Sequence, residues 1–174
     1  MELQYTIVDG YDTDEPKRGT EHSAGLDIYI PRVTPKFVED LREKNKNQAR
    51  LLPVREGEVE DDLYVMGHGR IIIPTGIRFN IPTGTYLEVA NRGSTAALQG
   101  LIFGAHIIDE DYQGIVFINL INTTPSTIYL KAGTKLVQLI HKEWIRSTLR
   151  RVPESELYPE VSKRGEGALG HTGQ

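Results

Sequence analysis

Three stretches of this chain carry the residue types that chemistry requires. Near the end, Arg164-Gly165-Glu166-Gly167-Ala168-Leu169-Gly170-His171-Thr172-Gly173 sets an arginine and a hydroxyl among closely spaced glycines. Glycines let backbone N–H groups approach anionic oxygens, and arginine offers bidentate contacts, so the segment suits a lid over phosphate. Alone, it also reads as a flexible tail. Further back, Ala90-Asn91-Arg92-Gly93-Ser94-Thr95-Ala96 puts a cation beside small and hydroxyl residues after a strand-like run. That is a second candidate phosphate contact. Its alternative is a surface turn opening a short helix with Ser94 or Thr95 as N-cap. The third stretch is Gly104-Ala105-His106-Ile107-Ile108-Asp109-Glu110-Asp111-Tyr112-Gln113-Gly114. Asp109 follows two isoleucines and is expected at the edge of a buried strand. A carboxylate there can act as a general base or simply close an Asx turn.

These groups need a scaffold, and the punctuation of the chain describes one. Glycine is 17 of 174 residues, above the usual ~7%, and 9 prolines accompany it. Short strands are expected at Thr6 to Val8, Gly25 to Ile30, Arg70 to Pro74, Ile77 to Ile81, Tyr86 to Ala90, Gly114 to Asn122 and Leu136 to Ile140. Pro-Thr-Gly recurs at Pro74–Gly76 and Pro82–Gly84, each a turn signal. Many short strands between such turns predict an all-β barrel or jelly roll. One segment breaks the rhythm. Pro35 to Arg50 predicts a short amphipathic helix, with Phe37, Val38 and Leu41 on one face and Thr34 as N-cap. The acidic run Glu56 to Asp62 follows, so residues 33–68 read as an insertion with a helix and a mobile loop. Its charges suit a solvated face or a protein partner. Trp144 is expected in the core or at a subunit interface, and His68 in a loop.

Composition narrows the possibilities. A chain of 174 residues fits a single domain, 1–174, with the glycine-rich arm 162–174 at its end. The absence of cysteine excludes disulfides, cysteine nucleophiles and thiolate metal sites. A net charge of −4 argues against a nucleic-acid partner. No apolar run approaches the ~20 residues that span a bilayer, and the first residues lack a signal pattern, so a cytoplasmic protein is expected.

In order along the chain, five segments resemble the motifs of the trimeric deoxyuridine triphosphatase (dUTPase) family. The first is Ala24-Gly25-Leu26-Asp27-Ile28, the second Asn91-Arg92-Gly93-Ser94-Thr95-Ala96, the third Ile108 to Gly114. The fourth is Gly133-Thr134-Lys135-Leu136-Val137-Gln138-Leu139, and the fifth Arg164-Gly165-Glu166-Gly167 with Gly170, Thr172 and Gly173. The resemblance implies a β-clip jelly roll that hydrolyses dUTP to dUMP and pyrophosphate through water attack on the α-phosphate. It implies that Asp109 activates the water and Tyr112 lies under the deoxyribose. Gln138 would bond the phosphates or the water, and Arg92, Ser94 and Arg164 would meet phosphate oxygens, with Gly93 and Thr95 beside them. Gly104, His106 and Ile108 would lie in the hairpin that reads uracil. Gly167, Leu169, Gly170 and Thr172 would close over the nucleotide. Asp27 would orient the first motif and the water shell of Mg²⁺, itself held mainly by the triphosphate. A homotrimer with shared sites and an exchanged C-terminal strand and arm is also implied.

Three departures from the family pattern stand out. Gly93 stands where a serine hydroxyl is usual, Leu169 where an aromatic ring stacks on the base, with His171 for a serine, and His106 where glycine is common. These leave dCTP or a modified pyrimidine nucleotide open as alternative substrates, and a regulatory role through the insertion open as well. The related dCTP deaminases need a glutamate where this chain has Asn119, and an amide cannot shuttle that proton.

Overall fold

The structure, a computed structural model, describes residues 2–46, 62–160 and 162–166. Alternating apolar positions make strands throughout: β1 (Gln4–Ile7), β2 (Lys17–Arg18), β3 (Gly25–Tyr29), β4 (Asp62–Val65), β5 (Arg70–Pro74), β6 (Ile77–Asn80) and β7 (Thr85–Ala90). Then come β8 (Leu101–Phe103), β9 (Ile107–Ile108), β10 (Phe117–Asn122), β11 (Ile128–Lys131) and β12 (Lys135–Glu143). Two helices interrupt them, α1 (Pro35–Lys44) and α2 (Gly93–Gln99). The largest sheet runs β2-β3-β12-β7-β9, a second runs β5-β10-β8, and β1-β6 and β4-β11 form two-stranded ribbons. The all-β, jelly-roll class expected from the turn pattern is the class observed.

Period-two patterning sets which side chains reach the core. In β7, Thr85, Leu87 and Val89 face inward; in β10, Ile118, Leu120 and Asn122 do, which sends Phe117, Asn119 and Ile121 outward. The Pro-Thr-Gly turns work through backbone geometry. Gly76 and Gly84 have φ of 74° and 81°, a region that a Cβ disfavours. At Gly76 a Cβ would also fall 2.4 Å from the Tyr11 ring.

The segment 33–68 is more tightly built in than an appended insertion. Thr34 caps α1 as expected, its side chain accepting from the Phe37 N–H at 3.2 Å. Phe37 and Leu41 are wholly buried and join the core, as do Leu63 and Val65 of β4. The helix ends at Lys44 rather than continuing to Arg50, because Asn45 turns back on it. The Asn45 amide donates to Leu41 O at 2.7 Å and Ile72 O at 2.8 Å, and accepts from Ile72 N–H at 2.9 Å. These bonds staple the helix end to β5. The expected mobile loop lies largely outside the described residues.

Strands β2, β4, β8 and β11 have no counterpart in the sequence reading, while β9 is the strand expected ahead of Asp109. Each of those four has two to four residues, too few for periodicity to register, and each exists because a partner strand supplies its hydrogen bonds.

Candidate active site

The largest sheet brings three of the five motifs together. β12 lies between β3 and β7, with Gln138 opposite Asp27 on one side and opposite Ala90 on the other. The chain then leaves β7 through Asn91 and Arg92. Asp27, Gln138 and Arg92 therefore meet although the first two lie 111 positions apart in sequence. Asp27 is buried, and both its oxygens are engaged: Oδ1 with Arg92 Nε at 3.2 Å, Oδ2 with Lys135 Nζ at 2.6 Å. Burying a carboxylate is costly unless it is paired in this way. Two cations against one carboxylate leave this cluster net positive. Gln138 is held by its Nε2 donating to Asn91 O at 3.0 Å. A 360 Å³ cleft opens here, lined by Asp27, Arg92, Gly93, Ser94, Lys135 and Gln138 among others. Its composition suits a polyanion.

Two backbone details make the cleft possible. A Cβ on Gly25 would fall 2.4 Å from Gln138 Oε1, so glycine in the first motif keeps that side chain's place. β12 also carries a β-bulge between Lys135 and Val137. The extra residue shifts Lys135 onto the face shared by Asp27 and Gln138. Without it, strict alternation would send Lys135 to the other side. The sequence reading missed Lys135 as a site residue for that reason.

The third motif builds a separate cleft. β9 pairs with β7, Leu87 opposite Ile108, at the sheet's edge. Asp109 follows directly and is exposed, so it ends an edge strand rather than a buried one. Its backbone carbonyl accepts from Tyr112 N–H at 3.1 Å, closing a turn. Among the described residues its carboxylate has no hydrogen-bond or ion-pair partner. The Tyr112 hydroxyl donates to Ile115 O at 2.8 Å, which fixes the ring, and burial pushes its pKa up. A Cβ on Gly114 would sit 2.5 Å from that hydroxyl, so the glycine of the motif accommodates the tyrosine. Asp109, Tyr112 and Ile108 line a 450 Å³ cavity with Lys44, Phe117 and Asn119. Lys44, at the end of α1, lies 4.4 Å from the Phe117 ring centroid, a contact that sequence periodicity gave no means to find.

Other expected site residues fall elsewhere. Thr95 is the buried residue of α2 and lines a different cavity. Neither Ser94 nor Thr95 caps that helix: Arg92 holds the N-cap position, with no side-chain bond. The His106 ring packs edge-on against Phe103, centroids 4.5 Å apart, and lines neither cleft, while its carbonyl accepts from Val89 N–H at 2.7 Å. Gly104 donates its N–H to Asn119 O at 2.8 Å. Arg164 lies in a turn over 163–166 and lines neither cleft. Gly167, Leu169, Gly170 and Thr172 lie outside the described residues. Trp144 is half-exposed at the end of β12 rather than in the core, its Nε1 donating to Glu110 at 3.3 Å.

The two clefts share no lining residue. From Tyr86, level with the residue after β9, to Ala90 is four residues, or ~13 Å along the strand. Arg92 lies further still. A base must come within ~3 Å of the atom it serves, far less than the strand length between these two groups.

The acidic groups do not assemble a metal site. Among the described residues no group of three His, Asp or Glu side chains converges on one point, and Asp27 is committed to Arg92 and Lys135.

Comparisons with known proteins converge on one family. A family model described as dUTPase matches residues 58–173. The deoxyuridine 5'-triphosphate nucleotidohydrolase of Candida glabrata is 35% identical over 159 residues, covering 91% of this chain and 88% of that protein. The protein of the same name from Paramecium bursaria Chlorella virus 1 is 35% identical over 113 residues, 65% of this chain and 77% of that one. Among solved structures, the Staphylococcus bacteriophage 80alpha dUTPase with dUPNHPP superposes with a TM-score of 0.73 over 99% of both chains, at 18% identity. The dUTPase from phage phi11 of S. aureus, described with its species-specific insert, gives 0.66 at 18% identity, covering 91% of this chain and all of that one. At that identity the structures show a shared fold. A mutant of the phi11 dUTPase is described as coordinating a structural Mg(II) ion.

Proposed function

This chain belongs to the dUTPase family, and from that premise we propose that it hydrolyses dUTP to dUMP and pyrophosphate. The observation that carries the reading is the exposed, unpartnered Asp109 carboxylate at the mouth of a cavity walled by Ile108 and Tyr112. The cavity takes the deoxynucleoside, with the Tyr112 ring against the sugar. Asp109 accepts a proton from water as the water oxygen attacks the α-phosphorus. The bond from that phosphorus to the α,β-bridging oxygen breaks, and pyrophosphate leaves with the electron pair. Arg92, Lys135, Ser94 and Gln138 hold the phosphate chain, where fixed cations and donors favour the developing charge. Asp27 acts by orienting Arg92 and Lys135.

Magnesium fits this scheme as part of the nucleotide complex, since this ion keeps its waters and prefers phosphate oxygens. Among the described residues no donor set forms a cradle for it.

The distance between the clefts supports a homotrimer in which the hairpin cavity of one subunit faces the cationic cleft of another. The C-terminal arm supports it too. Ile145, Leu149, Leu157 and Tyr158 are 90%, 96%, 54% and 74% exposed. Apolar residues so placed, on a segment with no strand partner among the described residues, suit burial against a neighbouring copy. The tail beyond, with Arg164, Gly167, Leu169, Gly170 and Thr172, would then close over the neighbour's nucleotide.

The test is pyrophosphate release from dUTP, dCTP, dTTP and UTP, each with and without Mg²⁺, by the natural protein and by Asp109→Asn. Selective turnover of dUTP that Asp109→Asn abolishes is the expected result. Folded protein without turnover of dUTP would sink the reading.

A further inference from the structure

Glu110 has no part in the scheme above, yet three segments meet on it. The ladder between β7 and β9 stops at Ile108. Beyond it the Glu110 side chain takes over the pairing. Its Oε2 accepts from the Gly84 N–H and from Trp144 Nε1, the latter at 3.3 Å. The backbone closes the triangle, since the Trp144 N–H donates to Gly84 O at 3.1 Å. Both polar groups of Gly84 are thereby used, and the turn that presents them is itself fastened. Thr85 donates its N–H and its hydroxyl to Pro82 O, at 3.1 and 2.6 Å, and His141 Nε2 lies 2.8 Å from the same hydroxyl. Trp144 is the chain's one tryptophan and directly follows β12. Ile145 after it is 90% exposed, so this triangle marks where the C-terminal arm leaves the body.

Asp109, the adjoining residue, depends on such an anchor. It borders two cavities, the 450 Å³ one and another of 530 Å³ lined also by Glu110, Trp144 and Arg146. Its carboxylate makes no hydrogen bond or ion pair among the described residues. Its position is therefore inherited from the backbone around it: the Ile108 pairing before it, the Tyr112 turn and the Glu110 contacts after it. A carboxylate accepting N–H bonds is a stronger tether than a neutral acceptor. Glu110 lines neither the hairpin cavity nor the cationic cleft, so it acts through its neighbour rather than on a ligand. We propose that Glu110 is a positioning residue for Asp109, tying the turn that carries the carboxylate to the β6–β7 turn and to the root of the C-terminal arm. The proposal rests on the reading that Asp109 is the base of dUTP hydrolysis.

The experiment uses the full-length protein with Glu110→Ala, Glu110→Gln and Trp144→Phe. Pyrophosphate release from dUTP gives kcat and KM, thermal unfolding gives Tm, and acrylamide quenching of tryptophan fluorescence reads how firmly Trp144 is held. Small misplacements of a reacting group are costly, so Glu110→Ala should lower kcat about ten- to a hundredfold. KM should stay within about twofold, because no ligand contact is lost. Quenching of Trp144 should rise. In Glu110→Gln the amide oxygen can accept both bonds, as one carboxylate oxygen does in the natural protein. Its kcat should return to within about threefold of the natural value, with natural quenching. Trp144→Phe removes one bond of the two, and its kcat should fall between those of the two Glu110 variants. A merely structural glutamate would lower Tm and leave kcat per folded enzyme unchanged. Unchanged kcat or quenching in Glu110→Ala overturns the assignment, while natural-protein turnover of dUTP keeps the function. So does a Glu110→Gln as slow as Glu110→Ala, which would mean that the charge itself acts on the chemistry. If Glu110→Ala fails to fold, Trp144→Phe decides the matter: a natural kcat overturns the assignment, and a lower kcat at unchanged KM supports it. Absence of dUTP turnover in the natural protein removes the function and this assignment together.

Discussion

At the residue scale, two positions give opposite predictions. Asp109 is exposed, has no partner among the described residues, and directly follows strand β9. Replacing it with asparagine keeps shape and removes the proton acceptor. Turnover should fall by ~10²–10⁴ with Tm unchanged, read by pyrophosphate release and thermal melts. Gly93 stands where a serine is usual in the family, and nothing lies within 4 Å of where its Cβ would be. Gly93→Ser therefore fits without strain and adds a donor toward the phosphate chain. A hydrogen bond to a charged group contributes ~1.5–3 kcal/mol, so kcat/KM for dUTP should rise about tenfold. A fall would show that the hydroxyl does not point into the cleft.

Elements act through how they are fastened. α1 is held to the body by Asn45 and by an acid–phenol pair, Tyr11 Oη donating to Asp40 at 2.6 Å beside Lys36 at 2.8 Å. Asn45→Ala would leave both polar groups of Ile72 without their Asn45 partners, while Leu41 O keeps the Asn45 backbone N–H. A loss of about 2–4 kcal/mol in chemical denaturation is expected. Desolvation pushes the Asp40 carboxyl up, but hydrogen bonds from Lys36 and Tyr11, with the charges of Lys36 and Lys44, outweigh it and hold it below the ordinary carboxylate value. A pKa lower in the folded state stabilises above the unfolded value, and that stabilisation is lost as pH falls through the folded one. Asp40→Asn should therefore lose stability above pH ~5, with the difference from the natural protein vanishing as pH falls through the folded pKa, which flattens the acid limb of the stability–pH curve. Lys44 carries this anchoring to the hairpin cavity through Phe117, so the end of α1 touches the wall that receives the nucleoside.

For the whole molecule, the separation of the two clefts decides what a working unit is. If hairpin and cationic cleft act in trans, two inactive variants should repair each other. Asp109→Asn and Arg92→Ala subunits, dissociated and reassembled one to one, regain about a quarter of the sites with both partners natural. Restored activity of that order is expected on mixing. Complete silence of the mixed trimers would place each site within one chain and contradict the geometry.

Much of this was legible in the residues alone. Glycine-proline punctuation and period-two alternation determined the all-β class and most long strands, because those signals are local. Ordered motifs marked Asp27, Arg92, Asp109, Tyr112 and Gln138, because chemistry restricts residue type. Local signals could not show that Asp27 is neutralised from both sides, that a bulge in β12 turns Lys135 into the cleft, or that His106 leans away on Phe103. They could not show that Asn45 ends α1 early, or that Trp144 stays half-exposed. Each of these depends on a contact between residues far apart in sequence, and such contacts exist only once the sheets have closed. The division of the motif residues between two clefts is of the same kind: sequence order lists them together, and strand pairing at opposite ends of β7 holds them apart.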